Sequence, residues 1–129
     1  MKILIADDDR VHVRMVSNFL RQKGMEITPV YDGIQTLMFT RRISPDLIIL
    51  DISMPAGGGF EVLKKLKASS LTAHVPVVVL SGSIDAADQS RVLESGADAF
   101  VTKPAEYEEL YRVLCGLLKI PCPPAPQHS

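Results

Sequence analysis

Cysteine is scarce in this sequence, the net charge is close to zero and no apolar run is long. The two cysteines, Cys115 and Cys122, stand near the end with no cluster of Cys or His at metal-ligand spacing. That pattern argues against a disulfide framework or a zinc site and fits reduced thiols in a cytoplasmic protein. A formal charge of −1 gives no general pull toward nucleic acid or anionic lipid. No stretch approaches the roughly 18 apolar residues of a membrane span, and the start Met1-Lys2-Ile3-Leu4-Ile5-Ala6-Asp7 meets acid too early for a signal peptide. The expectation is a soluble, cytoplasmic protein with neither a nucleic acid nor a membrane as partner. What is present is ordinary globular composition, 47% apolar and 22% charged in 129 residues, enough for one domain that buries roughly two-thirds of its unfolded surface.

One stretch organises the rest: Leu47-Ile48-Ile49-Leu50-Asp51-Ile52-Ser53-Met54-Pro55. Four consecutive apolar residues without alternation read as a strand covered on both faces, and Pro55 forbids continuing the ladder. Asp51 therefore sits at the carboxyl end of a strand, where open α/β sheets bind ligands. Taken alone, it could equally be an acid that caps a loop.

The other segments follow an alternating pattern. Ile3 to Ala6 is a short β-branched run that stops at Asp7-Asp8-Asp9. Val11, Met15, Phe19 and Leu20 then recur at helical spacing, with Asp9 placed to cap and Lys23-Gly24 to stop. Met25 to Val30 is a second strand, Tyr31-Asp32-Gly33 a turn, and Ile34, Leu37 and Met38 the stripe of a second helix. After the strand with Asp51, Ala56-Gly57-Gly58-Gly59 reads as a flexible loop. Phe60, Leu63 and Leu66 mark a third helix, with Lys64, Lys65 and Lys67 complementing its end. Pro76 to Leu80 is a fourth strand ending at Ser81-Gly82-Ser83, and a helix with a weak apolar stripe runs from Ile84 to Glu94, stopped by Gly96. Ala99 to Thr102 is the fifth strand, ending at Lys103-Pro104. Tyr107, Leu110, Tyr111, Leu114, Leu117 and Leu118 share one face of the last helix. From Ile120 the proline-rich tail, 120–129, reads as a linker or frayed end. Five strand–helix alternations with short connections favour a parallel, doubly wound sheet, with no internal repeat and no second domain.

If the strands are parallel, Asp7, Asp8, Asp51, Ser81 and Lys103 converge at one sheet edge. Carboxylates held together repel, so Asp7, Asp8 and Asp51 call for a hard cation with oxygen ligands, of which magnesium is the natural choice. Beside such an ion Asp51 can attack phosphorus, while Lys103 and the Ser81 hydroxyl neutralise or bind the phosphoryl oxygens. The plainer roles are helix-capping acids for Asp7 and Asp8, a turn residue for Ser81, a solvated charge for Lys103 and a core aromatic for Phe100. His12, His74 and His128 lack the partners of a catalytic histidine and read as surface residues.

Four segments together resemble the receiver domains of two-component response regulators. They are Ile3-Leu4-Ile5-Ala6-Asp7-Asp8, Asp51-Ile52-Ser53-Met54-Pro55 followed by Gly59-Phe60, Leu80-Ser81-Gly82, and Gly96-Ala97-Asp98-Ala99-Phe100-Val101-Thr102-Lys103-Pro104. The resemblance covers residues 1–119 and implies a flavodoxin-like (βα)5 fold with a five-stranded parallel sheet of order 2-1-3-4-5. It implies that Asp51 is the phosphoacceptor, and that Asp7, Asp8, Asp51 and the Ser53 carbonyl hold Mg2+. In the same way Lys103 contacts the phosphoryl group, Ser81 and Phe100 act as the switch, and Lys103-Pro104 carries a cis peptide. The implied donor is a sensor histidine kinase or phosphotransfer protein. The implied outlet is an output domain or target protein, with a homodimer through the fourth helix, fifth strand and fifth helix as one arrangement. Ser53 and Ser83 stand where relatives tune phosphoryl lifetime, and the glycines 57–59 make a looser loop than is common. The protein is then a signalling phosphoacceptor rather than an enzyme acting on other molecules. A constitutive binding module that lost the chemistry and an aspartyl-phosphate phosphohydrolase are the rival readings. The latter typically needs a second acid near the nucleophile, where this chain has Ser53.

Overall fold

The structure, a computed structural model, describes residues 1–52, 58–82, 86–102 and 106–121, leaving aside the side chains of Ser81 and of residues 86–88. Along the chain come β1 (Lys2–Ala6), α1 (Arg10–Gln22), β2 (Glu26–Val30), α2 (Gly33–Ile43) and β3 (Leu47–Leu50). Then follow α3 (Gly58–Ala68), β4 (Val77–Ser81), α4 (Ala86–Glu94), β5 (Ala99–Thr102) and α5 (Tyr107–Leu118). All four strand pairings are parallel and the order is β2-β1-β3-β4-β5. The fold is therefore the flavodoxin-like α/β arrangement that the sequence implies.

Strand pleating explains why the sheet is wound on both faces. Ile3, Ile5, Leu47, Ile49, Val78 and Leu80 point to one side, where Val13, Val16 and Leu20 of α1 and Leu110, Leu114 and Cys115 of α5 cover them. Leu4, Ala6, Ile48, Leu50, Val77 and Val79 point to the other, beneath Val62, Leu63 and Leu66 of α3 and Val92 of α4. Runs such as Leu47–Leu50 need no alternation because both faces are dry.

Two helices bury only part of the apolar stripe their spacing suggests: Leu20 is buried and Phe19 and Leu37 pack against the core, but the other stripe residues face out. In α1 the buried residues are Val13, Val16, Ser17 and Leu20, whereas Val11 is 65% exposed and Met15 is exposed as well. In α2 Gly33, Thr36 and Thr40 are buried, while Ile34 is 65% exposed and Met38 also faces solvent. Each threonine hydroxyl donates to a backbone carbonyl of its own segment, Thr36 to Asp32 at 2.8 Å and Thr40 to Thr36 at 2.6 Å. Satisfied in this way, small polar side chains can take core positions at little cost. Gly58 and Gly59 open α3 rather than lying in a loop.

Asp9 caps α1 as expected, its Oδ1 accepting from the Val11 and His12 amides at 3.1 Å each. Replacing it leaves those amides without that acceptor. Asp9→Ala is expected to lower the unfolding free energy by about 1 kcal/mol, read as an earlier urea midpoint at unchanged slope.

β2 is the outermost strand on its side of the sheet. Glu26 donates inward to the Met1 carbonyl at 2.9 Å, so Ile27 and Pro29 present their backbone groups outward. The Ile27 carbonyl accepts from Arg21 at 3.3 Å, and Pro29 has no amide hydrogen.

Candidate acidic site at the carboxyl edge of the sheet

Asp7 and Asp51 follow directly on β1 and β3, whose last residues Ala6 and Leu50 are register partners. The ladder continues past the strands to hold both: the Asp51 amide donates to the Ala6 carbonyl at 2.8 Å and the Asp7 amide to the Val30 carbonyl at 3.1 Å. The parallel register thus brings two acids 44 positions apart in sequence to the same edge. One carboxylate oxygen from each of Asp7, Asp8 and Asp51 lies within 4.8 Å of the others. Asp7 is 2% and Asp51 4% exposed, whereas Asp8 is open to solvent.

Carboxylates this close repel one another, and burial removes the water that would screen them. Three anionic oxygens converging on one point form a donor set suited to a hard divalent cation. Asp7 is held rigidly, its Oδ1 accepting from the Asp9 amide at 3.0 Å and its Oδ2 lying 2.8 Å from His12 Nδ1.

His12 is the residue that sequence reasoning missed. It is half-buried against Asp7 rather than free on the surface. With Asp9 as cap, His12 is the third helical residue of α1, and helical side chains lean toward the amino terminus of their helix, here back over the end of β1. That geometry was the available signal. His74 is exposed as expected, while His128 lies outside the described residues.

Ser81 closes β4 and pairs with Thr102, the last residue of β5, so both strands end at the same edge as Asp7 and Asp51. Lys103, Pro104, Ser53, Ser83 and Cys122 lie outside the described residues, as does the Ser81 side chain. Phe100 is half-buried on β5, opposite Val79 in the register, and packs against the cluster beneath α3 and α4. Among the described side chains of α4 only Val92 is buried, in keeping with the weak stripe read from the sequence. Lys67 does more than complement a helix end, since its Nζ donates to the Val75 carbonyl at 2.8 Å and meets Asp98 at 3.2 Å, joining α3 to the flanks of β4 and β5.

A doubly wound parallel sheet with buried acids at its carboxyl edge defines a flavodoxin-like protein with an acidic cluster at that edge. The family model for the response regulator receiver domain matches residues 3–114, and the chain belongs to that family of signalling domains. It is 38% identical over 105 residues to the response regulator PleD of Caulobacter vibrioides, covering 81% of this chain and 23% of PleD. It is also 38% identical over 109 residues to the DNA-binding response regulator MtrA of Mycolicibacterium paratuberculosis, covering 84% of this chain and 47% of MtrA. The chain thus spans between about a quarter and a half of the length of these curated relatives. Among solved structures, the receiver domain of a Pseudomonas aeruginosa sensor histidine kinase superposes with a TM-score of 0.85 at 27% identity, covering 92% of this chain and 97% of that one. That protein was solved with a magnesium ion coordinated in its active-site cleft. No helix among the described residues is long and apolar enough to cross a membrane.

Proposed function

We propose that Asp51 accepts a phosphoryl group from a phosphohistidine, with Mg2+ held by Asp7, Asp8, Asp51 and the Ser53 carbonyl. The observation that carries this reading is the meeting of three carboxylate oxygens within 4.8 Å at the carboxyl edge, two of the acids almost wholly buried. A bound magnesium ion would screen the carboxylates and offset charge on the phosphoryl oxygens.

In the transfer, an Asp51 carboxylate oxygen bonds to phosphorus as the phosphorus–nitrogen bond of the donor breaks, and the departing imidazole keeps the electron pair. Asp7, fixed by the Asp9 amide and His12, holds its carboxylate in place without moving. In this reading Lys103 neutralises the phosphoryl oxygens, the Ser81 hydroxyl donates to one of them, and Phe100 responds at the switch position. The ends of β4 and β5 at the same edge support those roles. Residues 1–119 form the receiver and 120–129 a linker or tail.

A sensor histidine kinase or phosphotransfer protein supplies the phosphoryl group in this scheme, in a cytoplasmic setting. An output domain or target, or a second copy of the chain, reads the face formed by α4, β5 and α5. Among the described side chains of α4 only Val92 is buried, which supports that choice of face, because elements with few buried contacts rearrange at least cost. The domain catalyses only its own phosphorylation and dephosphorylation.

Incubation with a small acyl phosphate and magnesium is expected to add one base-labile phosphoryl group, and a chelator to prevent it. No modification under any magnesium concentration would favour the constitutive binding module, and steady turnover of phosphate esters the phosphohydrolase. His12→Ala is expected to weaken magnesium binding about tenfold, as loss of a partner that orients a ligand commonly does. Isothermal titration with magnesium checks this, and an affinity equal to wild type would remove His12 from the site.

A further inference from the structure

A cavity lies between α1 and the outer strand β2. It measures about 220 Å³ and is lined by Arg10, Arg14, Ser17, Arg21, Pro29 and Tyr31, with Val13 beneath. We propose that it binds a small phosphate-bearing molecule, independently of the chemistry at Asp51.

Four of those residues stand at i, i+4, i+7 and i+11 of α1, which places three guanidinium groups and one hydroxyl along a single helical stripe. Arginines one turn apart repel, so the stripe costs stability unless anions offset it. Among the described residues no carboxylate stands within ion-pair distance of any of the three. Two of them are instead held by uncharged groups. The Arg10 guanidinium lies 3.9 Å from the centre of the Tyr31 ring, and Arg21 donates to the Ile27 carbonyl at 3.3 Å. Each contact orients a guanidinium and leaves most of its five donors unspent.

Ser17 adds a polar group to the same wall. It is 2% exposed, and its Oγ has no hydrogen-bond partner among the described residues. An unsatisfied buried hydroxyl is uncommon, and Ser17 adds an uncommitted donor beside the arginine stripe.

Three cations around one concavity match a dianion better than a single carboxylate, and the planar guanidinium fork matches phosphate oxygens two at a time. A volume below the roughly 300 Å³ at which drug-sized ligand pockets begin suits a phosphoryl head with a small attachment.

The test is an amide chemical-shift titration of the full chain with inorganic phosphate, pyrophosphate and a nucleoside monophosphate. It is run without magnesium and at constant ionic strength set by chloride. Saturating shifts confined to residues 10–21 and 29–31 are expected, unchanged by Asp51→Asn and about tenfold weaker in Arg14→Gln, which removes one charged contact on an exposed side chain. The tightest of the three compounds identifies the attachment. Shifts centred on Asp7, Asp8 and Asp51, a response that does not saturate, or equal affinity in Arg14→Gln would each overturn the proposal. Tighter saturation of the same signals by a glutamate-rich peptide would reassign the cavity to a protein partner. Because magnesium is absent and Asp51→Asn is included, failure here leaves the phosphoacceptor reading standing, and the reverse also holds.

Discussion

Asp51→Asn is expected to leave no phosphoryl adduct after incubation with acyl phosphate and magnesium, with the far-UV spectrum unchanged. An amide oxygen is a poor nucleophile toward phosphorus where a carboxylate is a good one, and the substitution also removes one of the three carboxylate oxygens that converge at the sheet edge. Neither neighbouring acid is placed to take over. Both oxygens of Asp7 are engaged, by the Asp9 amide and by His12. Asp8 is exposed, and water there competes both for its carboxylate and for any phosphoryl group it gained. Asp8→Asn should accordingly slow the reaction while leaving the adduct on Asp51, as peptide mapping can show. An adduct of undiminished yield in Asp51→Asn would remove that residue from the proposed role.

Gly59→Ala is expected to produce the largest loss of stability among the single substitutions considered, about 3 kcal/mol, with the midpoint of thermal unfolding lower by roughly 10 °C. A Cβ at residue 59 would stand 2.2 Å from the Ile52 Cα and 2.6 Å from its carbonyl carbon and oxygen. These are backbone atoms and cannot swing aside as a flexible side chain can. The approach is fixed by the Gly59 amide, which donates to the Ile52 carbonyl at 3.0 Å. Relief of the clash must therefore move Ile52, the residue directly after Asp51, so the variant should lose magnesium affinity together with stability. Gly116→Ala is the control. Its Cβ would meet nothing within 4 Å on α5, and it should gain about 0.5 kcal/mol from a less flexible unfolded chain. Equal stability of Gly59→Ala and wild type in calorimetry would show that α3 can shift freely against the end of β3.

The strands were legible because a doubly covered parallel sheet writes itself as unbroken apolar runs, Leu47–Leu50 most plainly, and because each run is closed by a polar residue or proline. The edge occupied by the acids followed from direction alone: once five strands run parallel, their carboxyl ends share a side. The inward faces of α1 and α2 were not legible to the same degree. Thr36 and Thr40 behave as core residues only because their hydroxyls bond back to their own helix, which composition does not reveal. Val11, Met15, Ile34 and Met38 have the right spacing for a buried stripe and are exposed all the same. His12 was hidden for a related reason, since its contact with Asp7 depends on where the cap at Asp9 starts the helix rather than on any pattern of polar residues. The role of Gly59 was misread because three successive glycines resemble a slack connection, whereas the structure uses one of them for a backbone contact that no other residue allows.

The outer strand β2 bears on how this molecule behaves in a crowd. Its outward side offers an incoming strand little to grip: Pro29 has no hydrogen to give, and the Ile27 oxygen is taken by Arg21. A sheet whose flank is blunted in this way resists extension by another chain's backbone, and so resists the runaway stacking that open flanks invite. Encounters on that side are left to side chains, which can be made selective and reversible in a way that a shared ladder cannot.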